Sequence, residues 1–301
     1  MNRSEALQLL IADVARAPLH LAGNVEIGLR IRDALNDPDC RIDTAAKLIQ
    51  AEPALSAQVV AIANSVAYNP SGRAITDVKN AVSRIGFATL RSLATAHVVK
   101  HMAGAPSDPS VRELTDHLWR HTTHVAALCR TIARRVTRQD PETALFIGLV
   151  HEVGSFYILS RASDYPVLLA REAAPDAAAP SLEEQTEAAR QRIDTEEEDN
   201  ELDLEGELTL AVLRQLNMPE SIVATVQEYC AGYMALPPAS MADTLLLAES
   251  LAPVGSPISS IVETDESQHP SIDAVIGETS LQEILREAAE EVESLARALG
   301  N

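Results

Sequence analysis

Residues Pro141 to Gly154, PETALFIGLVHEVG, constrain the rest of the chain more than any other stretch. Ala144, Leu145, Gly148 and Leu149 recur at the i, i+1, i+4, i+5 spacing of one helical face. Asp140 is placed to cap the helix, Pro141 fits its first position, and Glu142 suits the positive end of its dipole. Gly154 is expected to end it in a left-handed conformation, with a second helix over Ser155–Arg161. Just before that end stand His151 and Glu152, two polar side chains on an apolar segment. The surroundings must therefore supply apolar partners for the helix and polar ones for its end.

Helical spacing recurs along the chain. Residues 4–16 place Leu7, Leu10, Ile11 and Val14 on one side behind Ser4 as cap, and Pro18 stops the run. Further helices are expected at about 24–35, 45–50, 53–63, 77–85 behind Thr76, 87–101, 111–137, 208–216, 219–229 and 242–251. Gly86 marks a bend. Aromatic residues make up only 3% of the chain against 46% hydrophobic, so the core is Ala, Leu, Ile and Val, and the fold class is all-α.

Charge and cysteine content exclude several functions. A net charge of −20 argues against a broad basic surface for nucleic acid. Cys40, Cys129 and Cys230 form no CxxC pair, which leaves neither a zinc ribbon nor a disulfide framework and fits free thiols in a reducing compartment. The N-terminal apolar run is broken by Asp13 and Arg16, and no stretch of about 20 apolar residues is apparent. No membrane association and a cytoplasmic location are expected. Between Glu172 and Glu207, 14 acidic residues face only Arg190 and Arg192, a window that reads as a solvated loop or frayed helix with EEEDNE at 196–201.

Several motifs occur in an order that resembles the HDOD domain, a bacterial signalling module related to HD-type phosphohydrolases. They are Glu52-Pro53-Ala54-Leu55 with Asn64-Ser65, Ala81-Val82-Ser83-Arg84-Ile85-Gly86, Leu118-Trp119-Arg120-His121, and Gly148 through Gly154. Leu216 through Ile222 is a weaker match. The resemblance runs over about residues 15–250 and implies a two-lobed helical bundle. Residues 1–250 would form the domain, with an N-terminal lobe of about 1–103 and an HD-like lobe of about 110–250. Residues 251–301 would be a linker and a C-terminal amphipathic helix, opened by a Ser280–Glu283 capping box and striped by Leu281, Ile284, Leu285, Ala288, Val292 and Leu295. That helix either docks back or pairs with a second copy.

HD phosphohydrolases hold a divalent ion with a His, an adjacent His-Asp pair and a distant Asp, and the resemblance carries these roles to His121, His151 with Glu152, and Asp243. Imidazole and carboxylate together suit a first-row ion such as Mn, Fe or Zn, and Mg is the harder alternative. Glu152 departs from the family's Asp by one methylene. No histidine lies between His151 and His269, where some relatives carry ligands for a second metal, and GYP-type elements are absent. The residue 155 is Ser, so no HExxH zinc motif forms, and there is no GxSxG elbow or phosphate-binding glycine loop. The resemblance thus implies a regulatory protein of bacterial signal transduction, without turnover and without a required cofactor. It would bind signalling proteins or a small ligand through a degenerate HD-like site. Metal-dependent hydrolysis of a nucleotide or cyclic dinucleotide is the alternative.

Overall fold

In a computed structural model the chain is a bundle of helices. The structure describes residues 1–17, 19, 23–65, 68–169, 196–235, 237–258, 275–276, 279–280, 283–289 and 292–293. The elements are α1 (Arg3–Arg16), α2 (Gly23–Leu35), α3 (Ile42–Gln50), α4 (Pro53–Ala63), α5 (Val78–Met102) and α6 (Pro109–Ile132), the last continued by a π-helical turn, Ala133–Thr137. Then follow α7 (Pro141–Val150), α8 (Val153–Arg161), a 3₁₀ turn (Pro166–Leu169), α9 (Glu196–Gln215), α10 (Glu220–Cys230) and α11 (Met241–Leu251). Val275–Ile276 and Thr279–Ser280 pair as a short antiparallel ladder.

Helices α2, α3 and α4 pack against α5, while in a second group α7, α8 and α11 pack on α6, with α9 against α8 and α10 between α9 and α11. Helix α5 touches both groups because it also packs on α7 and α8. Its break is at Gly86, whose φ of 76° and ψ of 169° are open to glycine and strained for any other residue, as the sequence predicts. Helix α1 lies along α9 and the 3₁₀ turn, so the first helix in sequence joins the second group. Leu7, Leu10 and Val14 are fully buried there, and Asn2, rather than Ser4, caps the helix in a capping box with Glu5.

Two further expectations require correction, and one is decided between its alternatives. Gly154 does not close a helix. The chain turns at His151–Glu152, where Glu152 has φ −96° and ψ 18°, and Gly154 lies inside α8. A Cβ there would meet Thr209 backbone at 3.0 Å, so the glycine serves close packing of α8 on α9. Of the two readings of EEEDNE at 196–201, loop or helix, the structure has the helix, as the first turns of α9, while residues 172–195 of the acidic window lie outside the described residues. Finally, Pro141–Arg161 is by length and composition apolar enough to cross a membrane, yet 83% of its most apolar window is buried within the protein. It is a core element.

The C-terminal helix is described over 283–289, with Leu281 and Leu295 of its expected stripe outside the described residues. Ile284 and Ala288 are buried in the chain's own core. Glu287 reaches back to both Arg134 and Arg135 of the π-helical turn.

Candidate metal centre

Two histidines meet because their helices approach closely. Gly148 of α7 faces Ala126 of α6, where a Cβ would lie 2.5 Å from the Ala126 Cα. Only a glycine lets the two backbones come so near. His121, one and a half turns before Ala126, then faces His151 at the C-terminal end of α7, with ring centroids 5.6 Å apart. Helix α11 packs on both α6 and α7 and brings in a third group, Glu249. A buried Thr137–Thr244 hydrogen bond of 2.7 Å fixes α11 against the π-helical turn.

His121 Nε2 lies 3.3 Å from one Glu249 oxygen, and His151 Nε2 lies 3.3 Å from the other. One ligand atom from each of the three residues falls within 4.8 Å of the others. All three are buried. Glu152 is buried as well, and its carboxylate stands 3.8 Å from His121 Nε2. Asp243 is not in this group. Its carboxylate accepts backbone N–H bonds from Ala235, Ala239 and Ser240, and it answers the Ser240 cap of α11. Those bonds hold its carboxyl below the usual range even though burial opposes them. Asp243 is a cap, and Glu249 stands at the centre where the sequence reading placed an aspartate.

The donor set fits a metal ion. His121 Nδ1 is 2.7 Å from the Val254 carbonyl and His151 Nδ1 is 2.8 Å from the Gly148 carbonyl. Each Nδ1–H is thereby committed as a donor, which leaves Nε2, facing the carboxylate, as the nitrogen an ion would take. Neither Nε2 makes a hydrogen bond, nor does Glu249 Oε2, although all three are buried. Bonds of about 2.1 Å at tetrahedral angles hold donors about 3.4 Å apart. The 3.3 Å separations run to different Glu249 oxygens and the full donor set spans up to 4.8 Å, so the three side chains would draw together around such an ion. Two imidazoles and one carboxylate favour a first-row transition ion over Mg²⁺, which prefers oxygen and keeps its waters.

Without an ion, His121 and Glu249 stabilise each other's charged forms. Burial alone would lower the His121 pKa, but Glu249 and Glu152 outweigh it and raise it to about 9. Burial likewise pushes Glu249 up, while His121 and His151 bring it down to about 2. A metal would replace the His121 proton, so its affinity falls as pH falls. Beside the centre is a cavity lined by His151, Glu152, Ser155, Ile158, Glu205, Thr209 and Tyr229. Burial, with the charges of Glu249 and Glu152, pushes the Tyr229 phenol well up, so it stays protonated.

Residues 23–230 match the HDOD domain family, and the chain belongs to that family. Both α1 and α11, with Glu249, lie outside the matched residues. Among solved structures the fold is similar to a candidate metal-dependent phosphohydrolase from Shewanella amazonensis, at TM-score 0.65 and 19% identity over 99% of both chains. It is also similar to an HDOD domain protein of unknown function from Geobacter sulfurreducens, at TM-score 0.56 and 21% identity over 97% of this chain and 93% of that one. A candidate signal transduction protein from Marinobacter aquaeolei gives TM-score 0.52 and 17% identity, over 99% of this chain and 64% of that one. No protein of curated function matches.

Proposed function

We propose that this chain is a regulatory HDOD module of bacterial signal transduction that binds one divalent transition-metal ion at His121, His151 and Glu249 and does not turn over a phosphoester. The observation that carries the reading is the pair of buried Nε2 atoms, each with its Nδ1 committed to a carbonyl, facing one carboxylate. That arrangement is poised for an ion. Its burial speaks against hydrolysis, because ligands exposed by at most 6% admit an ion more readily than a phosphate ester. The bound ion stabilises the contact of α6, α7 and α11, and through α7 and α5 it biases the surface offered to signalling proteins. The HDOD membership and the signalling designation of the Marinobacter relative support the setting.

A second reading is a metallo-phosphohydrolase. The designation of the Shewanella relative and the cavity beside the ligands favour it. In that case the ion would polarise a phosphoryl oxygen and lower the pKa of water. The test is to load purified protein with Mn, Fe, Co or Zn and assay nucleotides, cyclic dinucleotides and a bis-aryl phosphodiester. Stoichiometric metal with no hydrolysis is the expected result. Turnover that is lost in His151→Ala would establish the second reading.

A further inference from the structure

The centre is sealed, yet an ion has to reach it. The cavity described above touches the centre at its inner wall, where His151 and Glu152 stand. His151 is 4% exposed, and its Nε2 makes no hydrogen bond. A second carboxylate, Glu205 of α9, lines the same cavity. Glu205 is 5% exposed and is ion-paired with Arg3, whose Nε also donates to the Leu168 carbonyl at 3.2 Å. Arg3 comes from the first turn of α1, which lies along α9. This guanidinium is thus paired with the outer carboxylate of the cavity, while Glu152 at the inner wall faces His121.

Resting on the reading of the centre given above, we propose that this cavity is the vestibule through which a divalent cation passes to reach His151, with Glu205 as its transit ligand and Arg3 as its gate. Carboxylates and hydroxyls are the groups that strip and hand on a hydrated divalent ion. A low-dielectric wall around two carboxylates concentrates cations. The Arg3 guanidinium opposes this twice: it occupies Glu205, and it repels an incoming dication. Passage therefore requires the ion to displace Arg3 from Glu205. Helix α1 keeps its place through Leu7, Leu10 and Val14 when Arg3 is released.

The test is stopped-flow uptake of Co²⁺ by the full-length metal-free protein, read from the visible absorption of the bound ion. Arg3→Gln should speed uptake roughly tenfold, and Glu205→Gln should slow it by a similar factor. The double variant should follow Glu205→Gln. Opposite signs at two residues of one ion pair distinguish a gate from simple loosening, which would speed uptake in both. Rates within twofold of wild type in both variants, or acceleration in both, would overturn the vestibule while leaving the centre intact. Absence of any Co²⁺ spectrum in wild type would instead remove the reading of the centre, and the vestibule with it.

Discussion

Gly148→Ala sets backbone packing against helix propensity, and the two have opposite signs. In an isolated helix, replacing Gly by Ala is stabilising by about 1 kcal/mol. Here the new methyl would sit 2.5 Å from the Ala126 Cα and 2.9 Å from its nitrogen, against 3.4–4 Å for ordinary contact. Both neighbours are backbone, so no side chain can swing aside. Helix α7 would have to move off α6 by about 1 Å, and overpacking of this kind costs about 3 kcal/mol. The net expectation is a loss of about 2 kcal/mol in urea unfolding, read as a lower midpoint at unchanged slope. The same displacement separates His121 from His151, so metal affinity should fall in parallel. A stability gain of about 1 kcal/mol would show that propensity alone acts at this position and would refute the close approach on which the centre depends.

Two further predictions concern groups away from the centre. His97 is buried, and burial, with His101 and Lys100 nearby and Glu52 opposing, lowers its pKa to about 4. The unfolded chain then binds the extra proton, so stability is complete above pH 6.5 and is lost as pH falls toward 4. Subtracting the His97→Leu curve from wild type should isolate a drop of about 2 kcal/mol, with partial solvent screening allowed for, and a flat difference would contradict it. Glu142, in the first turn of α7, accepts from Arg130 of α6, from Thr89 of α5 and from Tyr68. Glu142→Gln leaves the buried Arg130 charge without its carboxylate and should cost about 3 kcal/mol by chemical denaturation; a change below about 0.5 kcal/mol would mean the network is solvated.

Much of the fold was legible in local chemistry. Asp140-Pro141, Glu52-Pro53 and the Gly86 bend each state their structure within a few residues, and each stands where the sequence puts it. What remained hidden depends on partners distant in sequence. The stripe of Leu7, Leu10 and Val14 demands burial, but nothing in it names α9 as the surface. Gly154 reads as a helix end, and only Thr209, 55 residues on, makes it a close contact instead. The centre shows the same division. His121, His151 and Glu152 were found by motif and lie together. Asp243 is carried over by the same resemblance, whereas Ser240-x-x-Asp243 is itself a capping signature that commits its oxygens locally. The signal missed was Glu249: an acid with Leu245 and Leu246 one turn before it on a helix this apolar is carried toward the core, where it needs partners.

The most direct measurement is metal content by mass spectrometry after reloading with Mn, Fe and Zn, for wild type beside His151→Ala, Glu249→Gln and Asp243→Asn. One ion per chain in wild type and in Asp243→Asn, with loss in His151→Ala and Glu249→Gln, is the predicted result. A wild type that stays free of metal, or an ion that is lost with Asp243 and kept without Glu249, would contradict the assignment of His121, His151 and Glu249 as a metal centre.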